Sequence, residues 1–198
     1  LLVVSGENIQ LDPQQVWSDT VAFTEQYPLS STTTIASLDT AVTLYRGAFL
    51  NGFALAHCPE FDLWVGQQRR FFEQQYLQAL ARLIELTAAA HDYGAAIGYA
   101  QRYLGHDELA EEIHRRLIEC YAASGERGAA LRQYEECVAI LERELGVDPL
   151  PETRAAYMAA LSYQPLPVHQ GTPELVWSTL PGFDTTLVGR ANTFTQLS

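Results

Sequence analysis

Lysine is absent from this 198-residue chain: all 12 basic side chains are arginine, set against 24 acidic ones for a formal net charge of −12. A free-standing nucleic-acid binder needs a basic surface to neutralise phosphates, so this balance excludes that class for the chain on its own. Cysteine is scarce. Cys58, Cys120 and Cys137 form no Cys-x-x-Cys pair, which argues against a disulfide framework or a zinc knuckle and points to a reducing, cytoplasmic compartment. No apolar run approaches the roughly 18–20 residues that span a bilayer. The opening Leu1-Leu2-Val3-Val4 lacks the basic region and cleavage site of a secretory signal. Methionine occurs only as Met158, and the chain stops soon after Leu187-Val188-Gly189-Arg190, so both ends read as cut from a longer polypeptide. There is no Gly-rich phosphate loop and no Gly-x-Ser-x-Gly. No cofactor is expected in this fragment, and it is not expected to be an enzyme by itself.

What is present is an ordinary globular composition, 47% apolar and 18% charged, long enough for one domain or two small ones. Leu2-Val3-Val4 and Ile9-Gln10-Leu11 flank the turn composition Ser5-Gly6-Glu7-Asn8, which predicts a short hairpin. From Asp12-Pro13 the period becomes helical: Val16, Trp17, Phe23 and Tyr27 mark one helix closed by Pro28. Ile35, Leu38, Ala41, Val42 and Tyr45 mark a second. The Gly-punctuated connection Arg46 to Phe53, with two Phe, is expected to pack against its neighbours.

Pro59 suits the first position of a long helix, with Glu60 and Asp62 complementing its dipole. Phe61, Trp64, Val65, Gln68, Phe72, Tyr76, Leu80, Leu83, Ile84 and Leu86 keep helical period to about Ala90.

The pattern then repeats. His91-Asp92-Tyr93-Gly94-Ala95-Ala96-Ile97 returns as Gly125-Glu126-Arg127-Gly128-Ala129-Ala130-Leu131, an offset of 34 residues shared by Leu83 with Leu117 and Ile84 with Ile118. Paired helices at that period are the signature of tetratricopeptide repeats. Ala96 and Ala130 sit where the second helix of each pair must approach the first. A third copy is expected from Pro151, with Tyr157 placed 34 after Ala123 and only its first helix fitting before Tyr163. Beyond it, Pro165, Pro167, Pro173 and Pro181 read as a linker.

Catalytic chemistry is thin. Glu111-x-x-His114 is half of a carboxylate-bridged di-iron motif; the competing reading is a hydrogen-bonded core histidine. His57, His91, His106 and His169 stand at element ends or in the linker, where turn and cap roles prevail. Cys58 as a nucleophile would need a base, and adjacent His57 is badly placed to be one. Arg115 is flanked at four residues by Glu111 and Glu119, and Arg116 is preceded at four by Glu112, so helix-surface ion pairs account for that charge. The candidate partner-binding residues lie on the face of each repeat's first helix turned from the core: Gln78, Glu85, Glu112, Arg115 and Glu119. In repeat arrays that concave side receives a peptide or another domain; the alternative is a merely solvated face.

Several blocks carry a resemblance. They are Tyr45-Arg46-Gly47-Ala48-Phe49-Leu50, Pro59-Glu60-Phe61-Asp62-Leu63-Trp64 with Arg69, Asp92-Tyr93-Gly94-Ala95-Ala96, and Glu144-Leu145-Gly146-Val147-Asp148-Pro149-Leu150-Pro151-Glu152-Thr153-Arg154. Over about Val16 to Leu161 the chain resembles the bacterial transcriptional activator domain of Streptomyces antibiotic regulatory proteins and related large ATP-binding regulators. Ala48 replaces a usual acidic residue, and Leu150 stands where the family has a Ser or Thr cap before Pro151.

The resemblance implies an all-α, tetratricopeptide-like helical repeat array with a short β-hairpin remnant at the N-terminus. It implies residues 1–12 as remnant wing strands of a winged-helix DNA-binding domain, 13–163 as the activator domain, 164–186 as a Pro-rich linker, and 187–198 as the start of a nucleotide-binding ATPase domain. Its partners would be proteins: a second copy, neighbouring domains and RNA polymerase. DNA would be bound only through the parent's upstream domain, ATP only by the parent, and no membrane would be involved. The implied role is a helical effector and dimerisation module of a cytoplasmic transcriptional regulator. The alternative is a generic peptide-binding tetratricopeptide scaffold unrelated to transcription, and a third reading is a helical metal enzyme. Elemental analysis of the purified protein is expected to find no iron, which would end the third.

Overall fold

Gly6 adopts φ 63°, a conformation open to glycine without a Cβ penalty. It reverses the chain between β1, Leu2–Ser5, and β2, Asn8–Leu11. The strands pair antiparallel, Leu2 opposite Leu11 and Ser5 opposite Asn8, as the turn composition predicts. The computed structural model describes residues 2–6, 8–12, 15–25 and 33–162. Tyr27, Pro28, the expected linker 164–186 and the stretch 187–198 lie outside the described residues.

The first helix starts later than its apolar spacing predicts. α1 runs Asp19–Glu25, so Val16 and Trp17 precede it and the Trp17 side chain is 73% exposed. The reason is local: Asp19 Oδ1 accepts the Thr20 N–H at 2.8 Å, and the Ser18 carbonyl accepts the N–H of Ala22. Ser and Asp start a helix more strongly than apolar period extends it.

α2, Ile35–Leu44, opens with a reciprocal cap in which Thr34 and Ser37 each accept the other's backbone N–H. It buries Leu38, Ala41 and Val42. Tyr45 falls outside it, correcting the expected helical face: its backbone is extended, and its ring stacks on Tyr76 at 4.3 Å between centroids.

α3, Pro59–Ala89, has its proline at the first position and buries Val65, Phe72, Tyr76, Leu80, Leu83 and Ile84. Trp64 departs from the expected stripe, staying 45% exposed. In the connection before α3 the two Phe part company. Phe49 packs on Phe72 with centroids 5.3 Å apart, while Phe53 is 51% exposed.

The repeats follow as α4, Tyr93–Leu104; α5, Glu111–Ala123; α6, Arg127–Leu145; and α7, Pro151–Ser162. Each helix packs on its predecessor, and α7 packs on both α5 and α6. Ala96 and Ala130 are wholly buried, so the helix pairs close where the repeat pattern places small residues. The third copy is out of register with its expectation. α7 begins 40 residues after α5 rather than 34, because α6 has 19 residues where α4 has 12. Tyr157 therefore matches Leu117, not Ala123, and buried Thr153 and Ala160 take the places of Ile113 and Cys120.

α6 ends at Gly146 with φ 66°, its N–H bonded to the Glu142 carbonyl. α7 has Leu150 where a Ser or Thr cap would stand, and a different helix holds that turn: Glu111 Oε1 of α5 accepts the Leu150 N–H at 2.6 Å. Arg154 Nε donates to the Pro149 carbonyl at 3.0 Å, holding the same turn.

Two glycines give opposite expectations. Gly146→Ala places a Cβ in a left-handed residue and should lower stability by about 1 kcal/mol. Gly98→Ala, mid-α4 with open space around the new Cβ, should raise it by about 0.5–1 kcal/mol. Ala130→Leu should lower it by about 1–3 kcal/mol. Urea unfolding followed by circular dichroism reads all three.

Candidate functional site

The five candidate partner-binding residues fall into three separate environments. On α5, spacings of three and four residues place Glu112, Arg115, Arg116 and Glu119 side by side. Arg115 bonds both Glu112 and Glu119, and Arg116 reaches Glu112 at 3.1 Å and Glu119 at 3.4 Å. The hydrogen bonds to Glu112, with the charge of Glu119 beyond them, push the Arg115 guanidinium above its ordinary value. The group is internally neutralised, and such exposed pairs contribute little to stability.

On α3, Glu85 pairs with Arg82 at 2.8 Å. Gln78 instead lines a cleft of about 500 Å3 with Arg70, Glu73, Leu77, Tyr103 and His106. Glu111, expected beside Arg115, is engaged at Leu150: reaching toward α7 satisfies an amide that nothing else caps.

Arg69 and Arg102 bond backbone carbonyls of neighbouring segments. Arg69 donates through Nε to the Phe49 carbonyl and through Nη2 to the Leu50 carbonyl, each at 2.8 Å. Arg102 of α4 donates to the Val42 carbonyl at 3.1 Å and to Tyr76 Oη at 3.2 Å, tying α4 to α2 and α3. The signal for Arg69 was available: it lies four residues after Val65 and three before Phe72, a charge on the apolar stripe of its helix. A charge there either pairs or pins backbone. Between the Arg69-held connection, α1 and α3 lies a cleft of about 340 Å3 lined by Phe23, Tyr45, Phe49 and Phe72.

The Glu111-x-x-His114 pair is committed to the fold. His114 is buried, its Nε2 bonded to the Glu108 carbonyl at 2.9 Å and its Nδ1 to Gln133 Nε2 at 2.9 Å. The geometry assigns a neutral imidazole with its proton on Nε2, donating to the carbonyl and accepting from the amide. His57 and His91 occupy turns with φ 60°, as expected of element ends. His106 packs edge-on against Tyr45 and Tyr76.

Two thiols are shielded. Burial pushes Cys137 up to about 12, with Glu111 and Glu136 adding to it, and burial likewise raises Cys120. Burial and a 2.7 Å hydrogen bond to Asp39 push Tyr99 up to about 12. The folded chain therefore holds these protons after the unfolded chain has released them. Stability is fully present below pH 9 and is lost progressively between about pH 9 and pH 12. Urea midpoints should fall across that window, less steeply in Cys137→Ala. A thiol reagent at pH 8 should label only half-buried Cys58 in the native chain and all three cysteines in denaturant.

Among the described residues no helix is long and apolar enough to cross a membrane. Compared with known proteins, residues 25–161 match the family of the bacterial transcriptional activator domain. No curated protein and no solved structure matches the chain. The family is regulatory and not catalytic, in keeping with a histidine and a carboxylate engaged in packing and capping. The match spans more than half of the sequence and covers the array from the end of α1 to α7, so the chain belongs to the bacterial transcriptional activator domain family.

Proposed function

We propose that this chain is the helical effector and dimerisation module of a cytoplasmic DNA-binding transcriptional regulator, contacting proteins while DNA is held upstream. The family match over a helical repeat array carries the reading. The charge of −12 supports placing DNA binding elsewhere, as does the engagement of Arg69, Arg102, Arg115 and Arg154 with protein oxygens. The antiparallel hairpin β1–β2 fits residues 1–12 as the last wing strands of that upstream domain. In the same reading, 13–163 is the activator domain, 164–186 a linker and 187–198 the start of an ATPase domain that supplies any ATP site.

The proposed contact surface for a second copy, a neighbouring domain or RNA polymerase draws on three patches: Gln78, Glu85, and the Glu112, Arg115 and Glu119 group. Its alternating charges favour a polar partner over an apolar one.

Deleting residues 13–163 from the parent regulator should abolish activated transcription while leaving its promoter footprint in place. Full activation by the deleted protein would overturn the reading. The isolated 198-residue chain should show no sequence-specific gel shift, and any residual association should be weaker than about 1 μM and salt-sensitive. Tight specific binding would place the DNA contacts inside this segment.

A further inference from the structure

We propose that the cleft between α4 and α6 receives the guanidinium of an arginine side chain presented by a protein partner. α4 and α6 both pack on α5, and between them lies a cleft of about 380 Å3. Leu104, Leu117 and Ile140 form its apolar part, while Glu108, Gln133 and Glu136 supply polar groups. An arginine side chain is divided in the same way. Its methylenes lie on apolar surface and its planar head seeks acceptors.

The internal repeat shows what such a gap holds elsewhere in this chain. One repeat earlier, α2 and α4 both pack on α3, and α4 bridges to α2 with its own side chains. Arg102 donates to the Val42 carbonyl, in the last turn of α2, at 3.1 Å, and Tyr99 Oη donates to Asp39 at 2.7 Å. At the offset of 34 residues Tyr99 becomes Gln133 and Arg102 becomes Glu136. The cation is replaced by an anion, while the feature it served recurs: the last turn of α4 lines the cleft at Leu104. A helix C-terminus carries partial negative charge. Glu108 and Glu136 add to that charge instead of neutralising it.

The cations nearby leave the cleft acidic. Arg143 reaches Glu108 only at 3.4 Å, from an exposed position where it also bonds Glu144 at 2.6 Å. Arg132, one turn before Glu136, lies back against Gly128. On the buried side of α6 the same field is felt at Cys137, which burial raises and Glu111 and Glu136 raise further.

A buried acceptor opens on the cleft as well. Gln133 is only 9% exposed. Its Nε2 is engaged by His114 Nδ1 at 2.9 Å and by Glu136 at 3.2 Å. Its Oε1 bonds none of the described residues and is not sealed from solvent. The Glu136 carboxylate requires a donor from this amide, which fixes the oxygen as the free end. Carboxylate and amide oxygen together match the N–H fork of a guanidinium. None of these residues belongs to the contact patches proposed above, so failure of this inference leaves the transcriptional reading standing.

The probe is arginine blocked at both ends, N-acetyl-arginine methylamide, titrated into the 198-residue chain and followed by backbone amide shifts. Saturable shifts should concentrate at residues 104–108 and 133–136, with a dissociation constant on the order of 1 mM. The citrulline analogue, neutral and of the same shape, should bind about tenfold more weakly. Glu136→Gln should weaken the arginine probe by a similar factor. Glu136→Arg restores the cation of the first repeat from an exposed position and should abolish saturation without lowering Tm. The proposal is overturned by absence of saturable shifts up to about 20 mM probe, by equal affinity for arginine and citrulline, or by binding that survives Glu136→Arg. Free L-arginine binding about tenfold more tightly than the blocked form would assign the cleft to a metabolite and overturn the side-chain reading.

Discussion

Two helices share an apolar stripe only as closely as the side chains between them allow, and in the repeats of this chain alanines set that distance. Ala96 and Ala130 are wholly buried at equivalent places near the starts of α4 and α6. With no bulk at the crossing, Ile118 of α5 packs against Ala130, and Ala160 of α7 joins the same cluster. Ile84, Ala100, Ile113 and Leu117 form the matching cluster one repeat earlier. Each cluster is too small to fold alone, and stacking makes them continuous, which is how repeat arrays gain stability.

The N-terminal half solves the same problem with aromatic bulk. Phe23, Phe72 and Tyr76 share a core cluster with Leu38, Val42 and Leu80, and rings fill the volume that paired alanines eliminate elsewhere. Bulk leaves irregular gaps, and the cleft walled by these rings is one of them. Arginine then supplies the rigidity that close packing supplies in the repeats. A lysine at 69 would bring a single point charge, whereas the guanidinium fork donates to two carbonyls at once. The absence of lysine fits positions 69 and 102, where one side chain bridges two acceptors. Arg82, Arg115, Arg116 and Arg143 sit in surface ion pairs, where nothing in the structure demands one cation over the other.

The acidic excess also divides by location. On α5 the carboxylates meet arginines three and four residues away and neutralise them. Glu111 does something that charge counting does not register: it holds the Leu150 amide, 39 residues further on, at the entry to α7. One carboxylate thus ties the turn before α7 to α5, at the start of the half repeat that closes the array.

Much of this fold was legible in the residues. Turn chemistry around Gly6, the proline at the head of α3, and the recurrence of Asp92-Tyr93-Gly94 as Glu126-Arg127-Gly128 are local features, and local features specify element type and the period of a repeat. The third copy was misplaced because its register depends on where α6 stops, and its extra turns continue a pattern that periodicity alone does not end. The start of α1 was placed too early for the converse reason, since an apolar spacing was read through a Ser-Asp start signal.

The candidate face was legible as a set of exposed positions but not as partners. Which carboxylate meets Arg115, and which leaves its own helix, depends on distances between helices that no spacing encodes. By itself the sequence determined the helical repeat, its small-residue crossings and its acidic, arginine-only surface. Only the tertiary structure decided that Arg69 holds a strained loop, that Glu111 reaches the Leu150 amide, and that four rings from distant segments pack on one another, because each requires residues far apart in the chain to be brought together.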